Sequence, residues 1–211
     1  MNKKLYYLFL LCLSSCFILA SCVDDDDFDI DEEWYSEQAT IFSEVVAKSG
    51  IEGENKEYIT LESQSKNGVV CWQKSTVITD SDNTDKTLRI TMGGKPEFTD
   101  TVVVRYEGWY IDKEGKKYIF DSTENPSLNS GNTHPNKVQR KFTVNGVIEG
   151  WTIALQDMKV GEERLVVIPQ ILGYKGSPLT NSSSQVILPG YSTLWFRIKL
   201  FDIIPMKGIK N

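Results

Sequence analysis

Trp151 is the residue around which chemistry could be organised. It closes Val147-Ile148-Glu149-Gly150-Trp151, and the apolar period changes within the stretch that runs on to Met158. Val147 and Ile148 read as an extended, buried segment, and Gly150 as a sharp turn of the backbone. Trp151, Ala154, Leu155 and Met158 then repeat at i, i+3, i+4 and i+7, which is one face of a helix. Val160-Gly161 supplies a left-handed stop. A helix of about two turns does not persist alone in water, so the β-branched and aromatic runs on either side must wrap it. A tryptophan in its first turn is then the floor of a cavity; in the plainer reading the helix merely plugs a sheet. Tyr106 and Asp121 are harder to explain by packing alone, because a carboxylate buried beside Phe120 is costly unless paired. The chemistry on offer is that of a dry hollow with a few polar groups, and no covalent nucleophile is evident.

Other reactive residue types are scarce. His134, the only histidine in 211 residues, lies in a polar loop and reads as solvated. Of four cysteines, Cys12 and Cys16 belong to an N-terminal processing segment and Cys22 to its end, leaving Cys71, which reads as a core residue. No intrachain disulfide and no Cys/His metal set follows from such a count, and no metal or cofactor is expected. A net charge of −6 supplies no basic face, so nucleic acid is not an expected partner.

The elements that must position these residues can be taken in order. Lys3-Lys4, the apolar run from Leu5 to Ile18 and Leu19-Ala20-Ser21-Cys22 look like a bacterial lipoprotein signal, residues 1–21, with Cys22 as the lipidated residue. The alternative is an ordinary signal peptide with a chance cysteine. Residues 22–30 form an acidic tether that stays extended through self-repulsion. It is similar to the acidic export signal of surface lipoproteins, with a plain periplasmic tether as the competing reading. Residues 31–68 hold a helix and a linker. Asp29 or Asp31 caps the helix, Trp34, Ile41, Phe42, Val45 and Val46 form its apolar stripe, and Gly50 stops it. Docking onto the main domain is expected of that stripe, with dimerisation as the competing use. The linker, from residue 51, carries at most one short strand.

Residues 69–206 form the main domain. Strands are expected over Val69–Ile78, Thr101–Tyr110, Tyr118–Ser122, Arg164–Ile168 and Ser192–Ile203, with a hairpin turn at Asp112–Gly115 and polar loops at Asp80–Lys86 and Glu124–Gln139. Val102, Val104 and Tyr106 share a face. So do Leu194, Phe196, Ile198 and Leu200, with Trp195, Arg197 and Lys199 facing away. The fold class is α+β: an antiparallel β-sheet wrapped around one short helix, plus an N-terminal amphipathic helix.

Five pieces in order and spacing carry a family resemblance: Asp100–Gly108, Phe120-Asp121-Ser122, Val147–Trp151, Met158–Glu162 and Ser192–Phe196. Together they resemble the FK506-binding (FKBP-type) peptidyl-prolyl cis-trans isomerases from about Val69 to Ile204. With the lipoprotein-like start, the whole chain is similar to FKBP-like lipoproteins of Bacteroidota. The resemblance implies a prolyl pocket with Trp151 as floor, and Tyr106, Phe120 and Phe196 as walls. Val147 and Ile148 would form a rim whose backbone N–H binds a ligand carbonyl. Asp121 matches the acidic residue beside the pocket, Tyr174 the tyrosine that donates its hydroxyl to the substrate, and Ile187 lies in the upper hydrophobic loop. Proline-containing polypeptides are the implied substrates and FK506-type macrolides the implied ligands.

Three departures stand out. The loop from Ser122 to Phe142 is long, with Arg140 where an aromatic is usual. The approach from Phe142 to Ile148 is about two residues short. Gly173-Tyr174-Lys175 replaces small-Tyr-Gly. The implied function is isomerisation of Xaa-Pro bonds in exported or surface proteins, by a lipoprotein of a Gram-negative outer membrane facing the periplasm or the cell surface. The alternative is a catalytically weak FKBP-like binding or chaperone module of a surface assembly. A third reading uses Trp72, Trp109 or Trp195 as exposed platforms for glycan stacking.

Overall fold

A computed structural model of the chain describes residues 31–52, 54–77, 94–124 and 138–206. The expectations for residues 1–30, including Cys22, for the Asp80–Lys86 loop and for His134 fall outside the described residues. The described residues cluster as one compact unit.

Helix α1 spans Glu32–Ala47, with Asp31 as its N-cap: the Asp31 carboxylate accepts from Trp34 N at 3.0 Å. Glu32 and Glu33 occupy the first turn, where the helix dipole favours them. The strands are β1 (Ser49–Gly50), β2 (Tyr58–Glu62), β3 (Val69–Val77), β4 (Thr101–Ile111), β5 (Lys117–Ser122), β6 (Arg140–Thr143), β7 (Glu162–Ile168), β8 (Leu179–Thr180), β9 (Val186–Leu188) and β10 (Leu194–Ile204). Helix α2, Glu149–Asp157, lies between β6 and β7. The main sheet runs β1-β2-β3-β7-β10-β4-β5, with β6 also on β4, and β8-β9 form a separate hairpin. Every pairing is antiparallel except β1 with β2. The short strand of the linker is therefore β2, and it lies in the sheet between β1 and β3.

β4 is long enough to hold two neighbours on one edge. Its first half pairs with β6 (Val102 opposite Phe142) and its second half with β5 (Gly108 opposite Asp121). The turn into β5 is the expected one: Gly115 N donates to Asp112 O, and Gly115 takes a φ of +77°, which its missing Cβ permits. Gly161, at +91°, likewise turns the chain into β7. The helix itself has already ended at Asp157, ahead of the expected stop.

The concave side of the sheet closes over α2. Trp151, Ala154 and Leu155 of the helix, and Met158 just beyond it, are buried among Val102, Val104, Val166, Ile198 and Leu200. Gly150 differs from expectation. It is a buried residue within the helix, and it serves close approach to the sheet instead of a turn. A Cβ there would meet Ile168, with Cδ1 and Cγ1 at 2.8 and 2.9 Å and Cγ2 closer still.

The other side of the sheet has its own cover. Ile41, Phe42 and Val45 of α1 pack with Cys71, Trp109, Val167 and Trp195, so the stripe is spent on its own domain. Val46 lies off that stripe and is exposed. Trp195, expected to face away, does so only to be buried beneath α1. Trp72, Trp109 and Trp195 are all buried, at 4, 7 and 7% exposure, which removes the glycan-platform reading. Cys71 is a buried free thiol whose pKa is raised by burial, in keeping with a core role.

Candidate active site

The polar end of α2 is anchored from three directions. Ile148, the N-cap, has no side-chain cap of its own, but its carbonyl accepts from Trp151 N and Thr152 N. Thr152 Oγ1 donates to Val144 O at 2.7 Å. Glu149 accepts from the hydroxyls of Ser63 and Ser65, and these bonds hold its carboxyl below the usual range, with the nearby charge of Lys175 adding to them. The helix start, and Trp151 with it, is thus fixed relative to the segments that follow β2 and β6.

Over Trp151 lies a cavity of about 240 Å³ lined by Tyr106, Asp121, Phe142, Gly146, Val147, Ile148, Trp151, Tyr174 and Phe196. Three rings meet the Trp151 indole edge to face: Tyr106 at 5.0 Å and 89°, Phe196 at 5.2 Å and 89°, Phe142 at 5.9 Å and 79°. Such pairs are favourable beyond their burial, and here the rings come from β4, β10 and β6. A larger depression, about 370 Å³, lies between Leu61, Phe98, Ile153 and Asp157, but it holds a single aromatic ring and no phenol.

Seven of the residues expected at the site therefore share one cavity: Tyr106, Asp121, Val147, Ile148, Trp151, Tyr174 and Phe196. Phe120 stands behind that wall, with its ring 5.6 Å from Phe196 and 6.4 Å from Tyr174. Gly108 makes room for this stack, since a Cβ there would approach Phe196 Cδ1 to 2.9 Å and Phe120 Cζ to 3.0 Å. Ile187 does not line the cavity; it is half-buried on the β8-β9 hairpin, next to exposed Val186. Phe142 and Gly146 join the lining without having been expected there. The available signal was that Phe142 is the one apolar residue of an otherwise polar β6 just ahead of the rim.

The polar groups are few and well anchored. The Tyr106 hydroxyl donates to Asp121 Oδ2 at 2.5 Å. Burial first, and then this bond and the Asp121 charge, push the Tyr106 phenol far above the usual tyrosine range, with Arg140 acting weakly in the opposite sense. Burial, followed by the Asp121 charge, also raises Tyr174. Both phenols are consequently neutral at any physiological pH. The Tyr106 backbone is locked as well: its N–H donates to Thr123 Oγ1 at 2.6 Å, and its carbonyl accepts from Thr123 N at 2.8 Å and Thr123 Oγ1 at 3.0 Å. The Trp151 indole N–H is buried and has no hydrogen-bond partner among the described residues. The arrangement offers an apolar slot with neutral donors at its edge, which suits a non-covalent operation on a peptide.

Comparison with known proteins agrees with this geometry. The sequence profile described as FKBP-type peptidyl-prolyl cis-trans isomerase matches residues 92–201. The FKBP-type peptidyl-prolyl cis-trans isomerase FkpA of Escherichia coli K12 is 34% identical over 113 residues, covering 54% of this chain and 34% of that protein. The outer membrane protein MIP of Legionella longbeachae is 36% identical over 111 residues, covering 53% of this chain and 40% of that protein. The chain thus spans well under half the length of these two relatives. The crystal structure of FkpA from Escherichia coli superposes with a TM-score of 0.54 at 20% identity, over 97% of this chain and 74% of that one, which shows a common fold. With more than half of its residues under the profile and its pocket built from the residues the motifs marked, the chain belongs to the FKBP-type peptidyl-prolyl cis-trans isomerase family.

Proposed function

We propose that the cavity over Trp151 receives the proline ring of a polypeptide, and that the chain accelerates rotation about Xaa-Pro bonds in exported or surface proteins. The observation that carries this reading is the cavity itself, about 240 Å³ with an indole floor and three edge-on or flanking rings. Water occupies about 30 Å³ per molecule in the liquid, so a five-membered ring fits with its flanking peptide at the mouth. Rotation of an amide has a barrier of ~18–20 kcal/mol because twisting breaks resonance. The twisted amide has less charge separation than the planar one, so a dry aromatic slot favours it relative to water. Tyr174, or the Ile148 N–H at the rim, holds the substrate backbone in a turn while the bond rotates. Asp121 orients the Tyr106 phenol, and no proton transfer is required of it. Phe120 supports the wall from behind. Lowering the barrier by about 7 kcal/mol gives acceleration on the order of 10⁵-fold.

The same reading places the chain at an outer membrane, anchored through acyl chains on Cys22, facing the periplasm or the cell surface. The name of the MIP relative, an outer membrane protein, supports the location. No helix among the described residues is long and apolar enough to cross a membrane. Radiolabelled fatty acid should be incorporated into the wild-type chain and lost in Cys22→Ala; equal labelling of both would remove the anchor.

The deciding experiment for function is protease-coupled isomerisation of a proline tetrapeptide by the purified chain, with and without an FK506-type macrolide. A macrolide-sensitive rate and a shift in tryptophan emission on titration are expected. Macrolide binding with no detectable rate would leave an FKBP-like binding module. A spectrum and rate both untouched would remove the pocket assignment.

A further inference from the structure

α1 reaches beyond its apolar stripe to hold one particular turn. The Trp34 indole N–H donates to Gly190 O at 2.9 Å, and the Tyr35 ring meets Tyr191 edge-on at 5.4 Å. Gln38, only 1% exposed, spends its whole amide here. Its Nε2 donates to Ile111 O, its Oε1 accepts from Thr193 N at 2.9 Å, and its backbone carbonyl accepts from Thr193 Oγ1 at 2.8 Å. A buried glutamine with both ends of its amide satisfied is a rigid clamp, since each bond is costly to leave unmade.

The clamped turn is in direct backbone contact with the loop that carries Tyr174. Tyr191 N donates to Lys175 O at 2.6 Å. No side chain fits between the two segments: a Cβ on Gly190 would lie 2.9 Å from the Gly176 carbonyl carbon, with its oxygen closer, and one on Gly176 would lie 2.7 Å from the Tyr191 ring. Both residues of the 2.6 Å hydrogen bond are strained, with Tyr191 at φ +60° and Lys175 at φ +55°. Non-glycine residues hold such angles only where the surroundings over-determine them, and here α1 supplies that constraint from one side. On the far side stands Tyr174, whose phenol lines the cavity, while Thr193 lies three residues before the cavity residue Phe196.

We infer that α1 is a positioning element of the pocket: through Trp34 and Gln38 it holds the 190–193 turn, and through that turn it sets the Tyr174 loop. The helix is then part of the catalytic unit in addition to linking it to the N-terminal segment. The inference rests on the reading of the cavity as the isomerase site, and two readouts separate the failure of one from the failure of the other.

The first readout needs no activity. In the full chain, Trp34→Phe keeps an aromatic ring against Tyr110 (now 5.8 Å, edge-on) and removes only the donor to Gly190. Amide hydrogen exchange is followed at Lys175 and Ser177, whose N–H groups bond to Gln170 O and Tyr174 O, and referenced to the β7 and β10 ladders. Loss of one neutral hydrogen bond should raise exchange in 174–177 by about five- to tenfold relative to the ladders. An unchanged ratio, or a uniform rise everywhere, overturns the inference. The second readout is a cycle of Trp34→Phe with Tyr174→Phe in the isomerase assay. If α1 acts through Tyr174, kcat falls by about fivefold in Trp34→Phe with KM nearly constant, and adds no further loss in the Tyr174→Phe background. Losses that multiply overturn it. A wild-type chain without activity would sink the isomerase reading alone, and the exchange ratio would still decide the link from α1 to the loop.

Discussion

Gly150→Ala tests the claim that α2 rides directly on the sheet and carries Trp151 with it. In a solvent-exposed helix this substitution stabilises by about 1 kcal/mol, since alanine restricts the unfolded chain. Here the new methyl collides with three side-chain atoms of Ile168, which is fully buried on β7. β7 cannot yield, because it is paired on both edges, to β3 and to β10. Overpacking of this kind costs about 1–3 kcal/mol, so the expected net effect is a loss of up to about 2 kcal/mol in urea denaturation followed by far-UV circular dichroism. Ile168→Ala alone should lose about 2–5 kcal/mol from the cavity it leaves. The double variant should lose less than the sum, because the methyl introduced at position 150 then points into space vacated by Ile168. A coupling of about 1 kcal/mol or more is expected for residues in such contact. A Gly150→Ala protein more stable than wild type, or a cycle with no coupling, would refute the close approach and with it the argument that Trp151 is held from below.

Tyr106→Phe keeps the ring edge-on to Trp151 but removes the donor to Asp121; stability should fall by about 1.5–3 kcal/mol and macrolide affinity with it, and an unchanged midpoint in urea would show that the bond supports nothing. Lys175→Gly should raise the thermal midpoint, by the roughly 1 kcal/mol that a left-handed lysine costs relative to glycine, given its φ of +55°; a lower midpoint would show that the charge of Lys175 near Glu149 matters more than the strain. Burial alone would raise the Asp157 carboxyl, but hydrogen bonds and charges from Arg164 and Lys95 outweigh it and hold the group below its ordinary value. Its contribution is therefore present above pH of about 4 and lost as pH falls through the depressed folded value, so Asp157→Asn should flatten the acid limb of the stability profile, and an identical limb would exclude it.

Much of the fold was legible because burial there is one-sided or periodic. The helical face of Trp151, Ala154 and Leu155, the alternation of Val102, Val104 and Tyr106, and the Asp112–Gly115 turn all follow from local spacing, and the structure has each in place. The errors and omissions lie where a residue answers to something distant in sequence. Gly150 carries an ordinary turn signal, yet its reason is Ile168, on a different element. Trp195 alternates outward as a solvent-facing residue would, and only the return of α1 over that face buries it. Gln38 looks like any helix-surface glutamine, and nothing in its neighbours announces Thr193 or Ile111.

The site followed the same division. Residues from short, fixed motifs, such as Asp121, Val147, Ile148 and Trp151, line one cavity with Phe120 behind it, whereas Phe142, which was not expected there, lines it from β6. That lining has a physical logic. A hollow this apolar would fill with its own side chains if any wall could lean inward. Each ring around Trp151 is instead mounted on a different backbone: Tyr106 on β4, Phe142 on β6, Phe196 on β10. β6 and β10 both pair with β4, so moving one ring toward the indole means breaking a ladder. Phe142 completes the wall because β6 pairs with β4 at a register that sets Phe142 opposite Val102 and places its ring beside Trp151. The void is kept open by the sheet that surrounds it, and the contacts the rings lack across it are those that a proline ring, on the function proposed above, would supply.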